Sequence, residues 1–413
     1  MEPYYTANGG IGGRIKKRIS DFKVSEISFD GRLCEVKAFT GDEKIELEKQ
    51  WPENNDMEHL HLTLEKFNTD QNNAIRMITR SLQTSRKRIG YAGMKDKRAI
   101  TSQRISIWKP DYEKVKSFRS RYVDLRDAEW SDKRIELGDL KGNSFEITIR
   151  EINLEKNKIE KIVKEFFEQA EKGIPNYFGE QRFGGVRAVT HLVGKEFIKG
   201  SPENAVMLYL CHTNEREEAD VRIARQNLST SLDFAAATKE YPMKYRYERS
   251  ILHHLCKFPK DYVGAFQKLP PKLQYMFTHA LQSHLFNRII AKRIESGFGL
   301  GKIEGDVLEE GIVTAPLFGF ESRISDGKAG EIEKEILEEE NIAIEDFRVK
   351  EYPQLSSRGA RKNIALFPKN MELLEIGEDE YTEGMKKAAI SFTLEKGAYG
   401  TTVLRELMKN DQQ

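Results

Sequence analysis

The segment Gly93-Met94-Lys95-Asp96-Lys97-Arg98-Ala99-Ile100-Thr101-Ser102-Gln103 sets one carboxylate between two lysines, just ahead of a run that alternates apolar and polar residues. Gly90 and Gly93 predict a turn or irregular backbone from Ile89 to Asp96, and the alternation from Ile100 to Trp108 predicts a strand. Asp96 then lies in the loop that feeds the strand. Nearby cations favour the ionised form of a carboxylate, and an ionised aspartate can act as nucleophile or base. On these residues alone, an ordinary loop aspartate is the alternative.

Working outward, Asn68, Thr69 and Asp70 offer N-caps to a helix with the apolar stripe Ala74, Ile75, Ile78 and Leu82, and Arg86, Lys87 and Arg88 are expected to complement its C-terminal dipole. His59-Leu60-His61-Leu62-Thr63-Leu64 reads as a strand with both histidines on a solvated face. Downstream, Phe145, Ile147 and Ile149 alternate as a strand. Ile159, Ile162, Val163, Phe166 and Ala170 follow a helical period that Gly173 and Pro175 end. The region beyond Phe183-Gly184-Gly185 is mainly helical, with Leu273, Phe277, Leu281 and Leu285 every four residues, and reads as its own domain. Ile390 to Leu394 predicts a strand, and a helix around Val403 to Met408 follows.

The chain has 413 residues with a net charge of +1 and 32% charged residues, which suits a well-hydrated protein of two or three domains. Charge is nevertheless sorted along it. From Arg76 to Lys109 ten basic residues face the single acid Asp96, a local +9, which on charge alone reads either as a footprint for a polyanion such as nucleic-acid phosphates or as a merely solvated basic helix. From Glu331 to Lys350 eight acids meet three bases, a local −5, which reads as a solvated helix face. Cys34, Cys211 and Cys256 are widely spaced and the histidines complete no ligand spacing, so neither a disulfide framework nor a metal site is expected. There is no run of about 18 apolar residues and no basic-then-apolar opening, so the expectation is a cytoplasmic protein with no membrane partner. No Walker loop, G-x-S-x-G elbow or H-E-x-x-H motif points to nucleotide hydrolysis, a serine hydrolase or a zinc protease.

Gly93 to Gln103 resembles the G-x-K-D-x-x-A-x-T-x-Q signature of the TruD family of tRNA pseudouridine synthases. Asn176-Tyr177-Phe178-Gly179-Glu180-Gln181-Arg182-Phe183-Gly184 resembles that family's N-Y-F-G-x-Q-R-F-G signature. Gly142-Asn143-Ser144-Phe145, Ser283-His284-Leu285-Phe286-Asn287 and Gly397-Ala398-Tyr399 through Glu406 match further motifs in the family's order. The resemblance implies an α+β pseudouridine synthase catalytic fold, an antiparallel sheet flanked by helices with a central cleft, interrupted by a mostly helical α/β insertion domain. It implies a catalytic domain at 1–183 and 370–413, an insertion domain at 184–369, and RNA in the cleft between them. The implied protein is a monomer that isomerises uridine to pseudouridine in tRNA, most often uridine-13, without a cofactor. A non-catalytic RNA-binding or RNA-folding protein on the same scaffold is the competing class.

By motif position Asp96 is the catalytic carboxylate and Lys16 its cationic partner. Ile19-Ser20 stand where the family commonly has Pro-Glu before Asp21-Phe22, which leaves Lys17 as the alternative to Lys16. Phe178 matches the phenylalanine that stacks on the target base, whereas on the residues alone core packing is the default for the cluster of Tyr177, Phe178 and Phe183. Asn176 and Phe392 align with residues that border the same pocket, and Lys95, Gln103 and Arg182 complete the expected substrate contacts, with Gln181 and Arg182 also open to a supporting role. Arg358-Gly359-Ala360-Arg361-Lys362 resembles a Gly-x-Arg stretch of the insertion domain, read as either a phosphate or base contact or a solvated surface. Gly400 stands where alanine is usual.

Overall fold

Phe22–Ser28 (β1), His59–Phe67 (β2), Ile89–Tyr91 (β3), Ile100–Trp108 (β4), Val123–Ser131 (β5), Leu140–Ile152 (β6), Lys369–Glu378 (β7) and Lys386–Glu395 (β8) form one sheet in the computed structural model, which describes residues 2–53 and 55–410. The strand order is β7-β8-β6-β1-β4-β2-β5, with β3 added to β4. Neighbours run antiparallel except β1 and β4, which pair in parallel with Lys23 opposite Ile100 and Ser25 opposite Ser102. Strands that run the same way carry their preceding loops to the same edge. The segment entering β1 and the loop entering β4 therefore start from one place in the sheet.

Helix Lys156–Ala170 buries the stripe read from its period, Ile159, Ile162, Val163, Phe166 and Ala170. It packs with helix Gly400–Met408 into a core that includes Phe22, Phe145, Ile147, Ile149, Ile390 and Phe392. Each such aliphatic or aromatic side chain contributes about 1.5–3 kcal/mol by leaving water. Helix Gln71–Ser81 is capped by Asp70, whose carboxylate accepts the Asn73 N–H, and lays Ala74, Ile75 and Ile78 on Leu60, Leu62 and Leu64 of β2.

Three local expectations are corrected. Helix 71–81 stops before the basic triplet, and Arg86–Arg88 form a separate 3-10 turn that leads into β3, so only Arg80 lies in the helix's last turn. His59 and His61 share a face, but His59 is buried and the His61 Nε2 lies 2.7 Å from the Lys133 carbonyl oxygen. Burial lowers the pKa of both rings. The acidic helix Gly327–Glu339 is not solvated throughout: Glu333 is buried and accepts from the backbone and hydroxyl of Ser325. Glu340, next to it, is held down to a pKa of about 2, first by its bond with His284 and then by Lys195.

By compactness the chain divides into two units. One comprises residues 2–5 with Pro175–Ala365; the other runs Thr6–Ile174 and resumes at Leu366. The sequence reading set the corresponding edges at 184 and 369. Within the first unit, helix Pro271–Glu295 is the central element, burying Phe277, Leu281, Leu285 and Phe286 among others. A small sheet of Val307–Glu309, Ile312–Leu317 and Ala360–Asn363 belongs to the same unit. No helix among the described residues is long and apolar enough to cross a membrane.

Candidate active site

The segment that enters β1 and the loop that enters β4 meet at Lys16 and Asp96. The Lys16 Nζ lies 3.5 Å from Asp96 Oδ1, while Lys17 turns to Glu151 at 2.5 Å. Lys16 adopts a left-handed backbone with φ of 57°, and its ammonium sits 3.9 Å from the centre of the Phe22 ring. That ring, the first of β1, holds the cation on the carboxylate side by a cation–π contact. The Asp96 side chain is 42% exposed and that of Lys16 19%, so the carboxylate is open to a substrate while its partner is largely enclosed.

A buried layer fixes the Asp96 loop from beneath. The Lys66 ammonium, fully buried at the end of β2, donates to the carbonyls of Asp96 and Thr69. Burial pulls its pKa down to about 8 against the attraction of Asp96 and Asp70. The Gln103 Nε2 donates to the Gly93 carbonyl at 3.0 Å, and the Asn68 N–H to the Ala99 carbonyl at 3.1 Å. Lys95 does not point outward. Its side chain is 5% exposed and its Nζ lies 2.5 Å from Glu26 Oε2, a carboxylate on β1 that also accepts the Arg104 N–H.

The basic block is accordingly less of a surface than its +9 suggests. Arg104 is also internal, donating to the Asp127 carbonyl at 2.6 Å and to Glu129 at 3.1 Å. Arg76, Arg80, Arg86, Lys87, Lys97, Arg98 and Lys109 remain exposed, and of these Lys109 is paired with Glu58, so the first six form the charge a polyanion would meet.

Phe392 is buried in β8, stacked on Phe145 with centroids 5.1 Å apart, and Phe145 meets Phe22 edge-on. Phe22, the ring against Lys16, is thereby anchored on Phe145 and through it on Phe392. The same packing accounts for Gly400: a Cβ there would lie 2.9 Å from Phe145 Cε1, so an alanine would require the ring to shift.

Asn176, Phe178 and Arg182 belong to the other compact unit. The Phe178 backbone is clamped by Asn287, whose Oδ1 accepts the Phe178 N–H at 2.9 Å and whose Nδ2 donates to the Phe178 carbonyl at 3.0 Å. The Arg182 Nε donates to Ser283 Oγ at 2.9 Å, and its guanidinium lies 5.5 Å from the Phe178 ring centre. The Asn176 amide donates to the Asn363 carbonyl, and its Oδ1 has no donor among the described residues. Ser283 and Asn287 thus stand four apart on one helix because both brace the segment that carries Phe178. The sequence reading matched their motif without this reason. It missed Lys66 and Glu26 outright, since a lysine or glutamate in an alternating strand reads as surface, and used Phe22 only as a marker of register.

Comparison with known proteins bears on the whole chain. A family model described as tRNA pseudouridine synthase D (TruD) matches residues 1–312 and 308–407. A protein of Methanosarcina acetivorans named "Probable tRNA pseudouridine synthase D" is 38% identical over 99% of this chain and 95% of its own length. One of the same name from Methanopyrus kandleri is 39% identical over 86% of each. A Methanosarcina mazei crystal structure described under the TruD name superposes with a TM-score of 0.82 at 35% identity, covering 100% of this chain and 98% of that one. The mixed α+β fold and these matches make the protein a pseudouridine synthase, an isomerase. The chain belongs to the TruD family.

Mutation separates the layers of this site. Lys66→Met keeps the stem but removes both donors under the Asp96 loop, and is expected to slow turnover by roughly 10–100-fold through displacement of the carboxylate. Single-turnover kinetics at saturating RNA, beside an RNA-binding titration that stays at the wild-type value, is the check.

Proposed function

We propose that this protein converts a uridine of tRNA, uridine-13 of the D arm, to pseudouridine, working as a cytoplasmic monomer and without a cofactor. The observation that carries the reading is the Lys16–Asp96 pair, a carboxylate open to substrate and held by a cation enclosed against Phe22. The N1–C1′ bond breaks with its electron pair leaving on the uracil. The ring turns while held, and C5 bonds C1′. The proton lost from C5 is balanced by one gained at N1, so the RNA mass does not change.

In this reading Asp96 meets the electron-poor ribose, by attack at C1′ or by removal of a C2′ proton, and Lys16 orients it. The target base must leave its stack, and Phe178 offsets part of that cost by stacking on it, about 1–3 kcal/mol per base. Asn176 and Arg182 line the grip on that nucleotide and Phe392 supports the pocket floor. Lys95 and Gln103 shape the loop from inside, as their bonds to Glu26 and Gly93 suggest.

The test is pseudouridine-specific labelling of unmodified tRNA transcripts with site mapping. Conversion at position 13 is expected. Conversion at another position would correct the substrate, and tight binding with no conversion across a broad tRNA set would leave the RNA-binding reading as the better one.

A further inference from the structure

Strand Ala360–Asn363 pairs antiparallel with Ile312–Leu317, with Arg361 opposite Pro316 and Lys362 opposite Ala315. Successive residues of a strand face opposite ways, so the two cations meet different surroundings. Arg361 is fully engaged: its Nε and Nη2 donate to the hydroxyl and carbonyl of Thr314, both at 2.8 Å, and buried Glu333 lies 3.7 Å away. Lys362 has no such partners. Its Nζ lies 5.3 Å from the Phe178 ring centre and 5.9 Å from that of Phe286, two rings that meet edge-on at 5.6 Å. No carboxylate among the described residues pairs with it, and the side chain is half-buried rather than sealed.

A cation held partly out of water without a counter-ion is costly, and attraction to the two rings offsets only part of that cost. An anionic oxygen arriving from outside would remove that cost. Phe286 is fully buried and Phe178 keeps 9% of its surface exposed, so Phe178 is the ring a ligand can reach. It is also the ring on which the proposed function seats the target base, and the anion an RNA carries there is a phosphodiester oxygen. We propose that Lys362 is the binding site for one phosphodiester of the RNA, that of the nucleotide seated at Phe178 or its immediate neighbour.

This rests on the reading of the protein as an RNA-modifying enzyme and adds to it a phosphate contact at a named residue. Burial alone pulls the Lys362 pKa down to about 8. The groups facing it are the two rings and, beside Phe178, the guanidinium of Arg182, while Arg361 lies on the opposite face of the strand. The contact is therefore present below about pH 8 and is lost as pH rises through and above that value.

The experiment compares wild type, Lys362→Met and Lys362→Arg in binding unmodified tRNA transcript across a salt series and between pH 7 and 9. Lys362→Met is expected to bind about tenfold more weakly near 0.15 M salt, with the slope of log affinity against log salt reduced by about 0.7–0.9 and the loss carried in KM. Its Tm should hold or rise, because an unpaired buried charge has been removed. Lys362→Arg should keep the wild-type slope and retain at pH 9 the affinity that wild type loses. A Met variant with wild-type affinity and slope overturns the proposal, as does an Arg variant that behaves like Met. If the Met variant unfolds, the pH series of Lys362→Arg against wild type decides alone. Failure of wild type to convert any uridine would instead count against the enzymatic reading, and the binding series would still decide the phosphate site.

Discussion

Asp96→Asn is expected to lower uridine conversion by at least about a thousandfold while leaving RNA affinity unchanged or tighter. The amide matches the carboxylate in shape but can neither attack C1′ nor take a C2′ proton, and loss of a positioned acid–base or nucleophilic group costs about 10²–10⁴-fold or more. Affinity should not suffer, because the substitution removes a negative charge from a loop that also exposes Lys97 and Arg98. Nor should stability. The Lys16–Asp96 pair is partly exposed, and pairs of that kind contribute about 0–1 kcal/mol. Labelling assays, filter binding and thermal melts on one preparation check all three. Conversion within tenfold of wild type would remove Asp96 from the chemistry.

Lys95→Met should act quite differently, through stability rather than contact with RNA. It leaves the Glu26 carboxylate, which has no exposure, with the Arg104 N–H but no counter-ion. Breaking one side of a buried pair costs about 3–5 kcal/mol because the remaining charge is stranded. That corresponds to a fall of about 6–20 °C in the melting of this unit. Adding Glu26→Gln to Lys95→Met should recover most of the loss, a coupling of more than about 2 kcal/mol. The salt dependence of RNA binding should match wild type. A Lys95→Met protein that melts normally but binds RNA with a reduced salt slope would return Lys95 to the RNA-facing surface.

The buried face of helix 156–170 was legible to the residue, because a single apolar stripe on one period allows only one buried face, though its end had been read nearer Gly173. The strand around Ile390 to Leu394 and the long helix through Leu273 to Ile294 were equally plain. Charge was read less well. Composition cannot tell a lysine that meets water from one that meets a buried glutamate, so Lys95 and Arg104 were counted into a surface they do not join. The same blindness placed His59 and His61 in solvent and missed Lys66, whose partners are backbone carbonyls that every sequence possesses.

By itself the sequence determined the periodic elements, the order of the motifs, and Asp96 as the carboxylate at the head of a strand. Local pattern suffices for these, since each depends on neighbours a few residues away. Tertiary structure alone decided which cation Asp96 meets. Lys16 and Lys17 are adjacent, and only the left-handed turn at Lys16 with the Phe22 ring beside it sends one to Asp96 and the other to Glu151. The two segments lie 80 residues apart and come together because β1 and β4 run parallel, a pairing set by the sheet as a whole and written in neither strand.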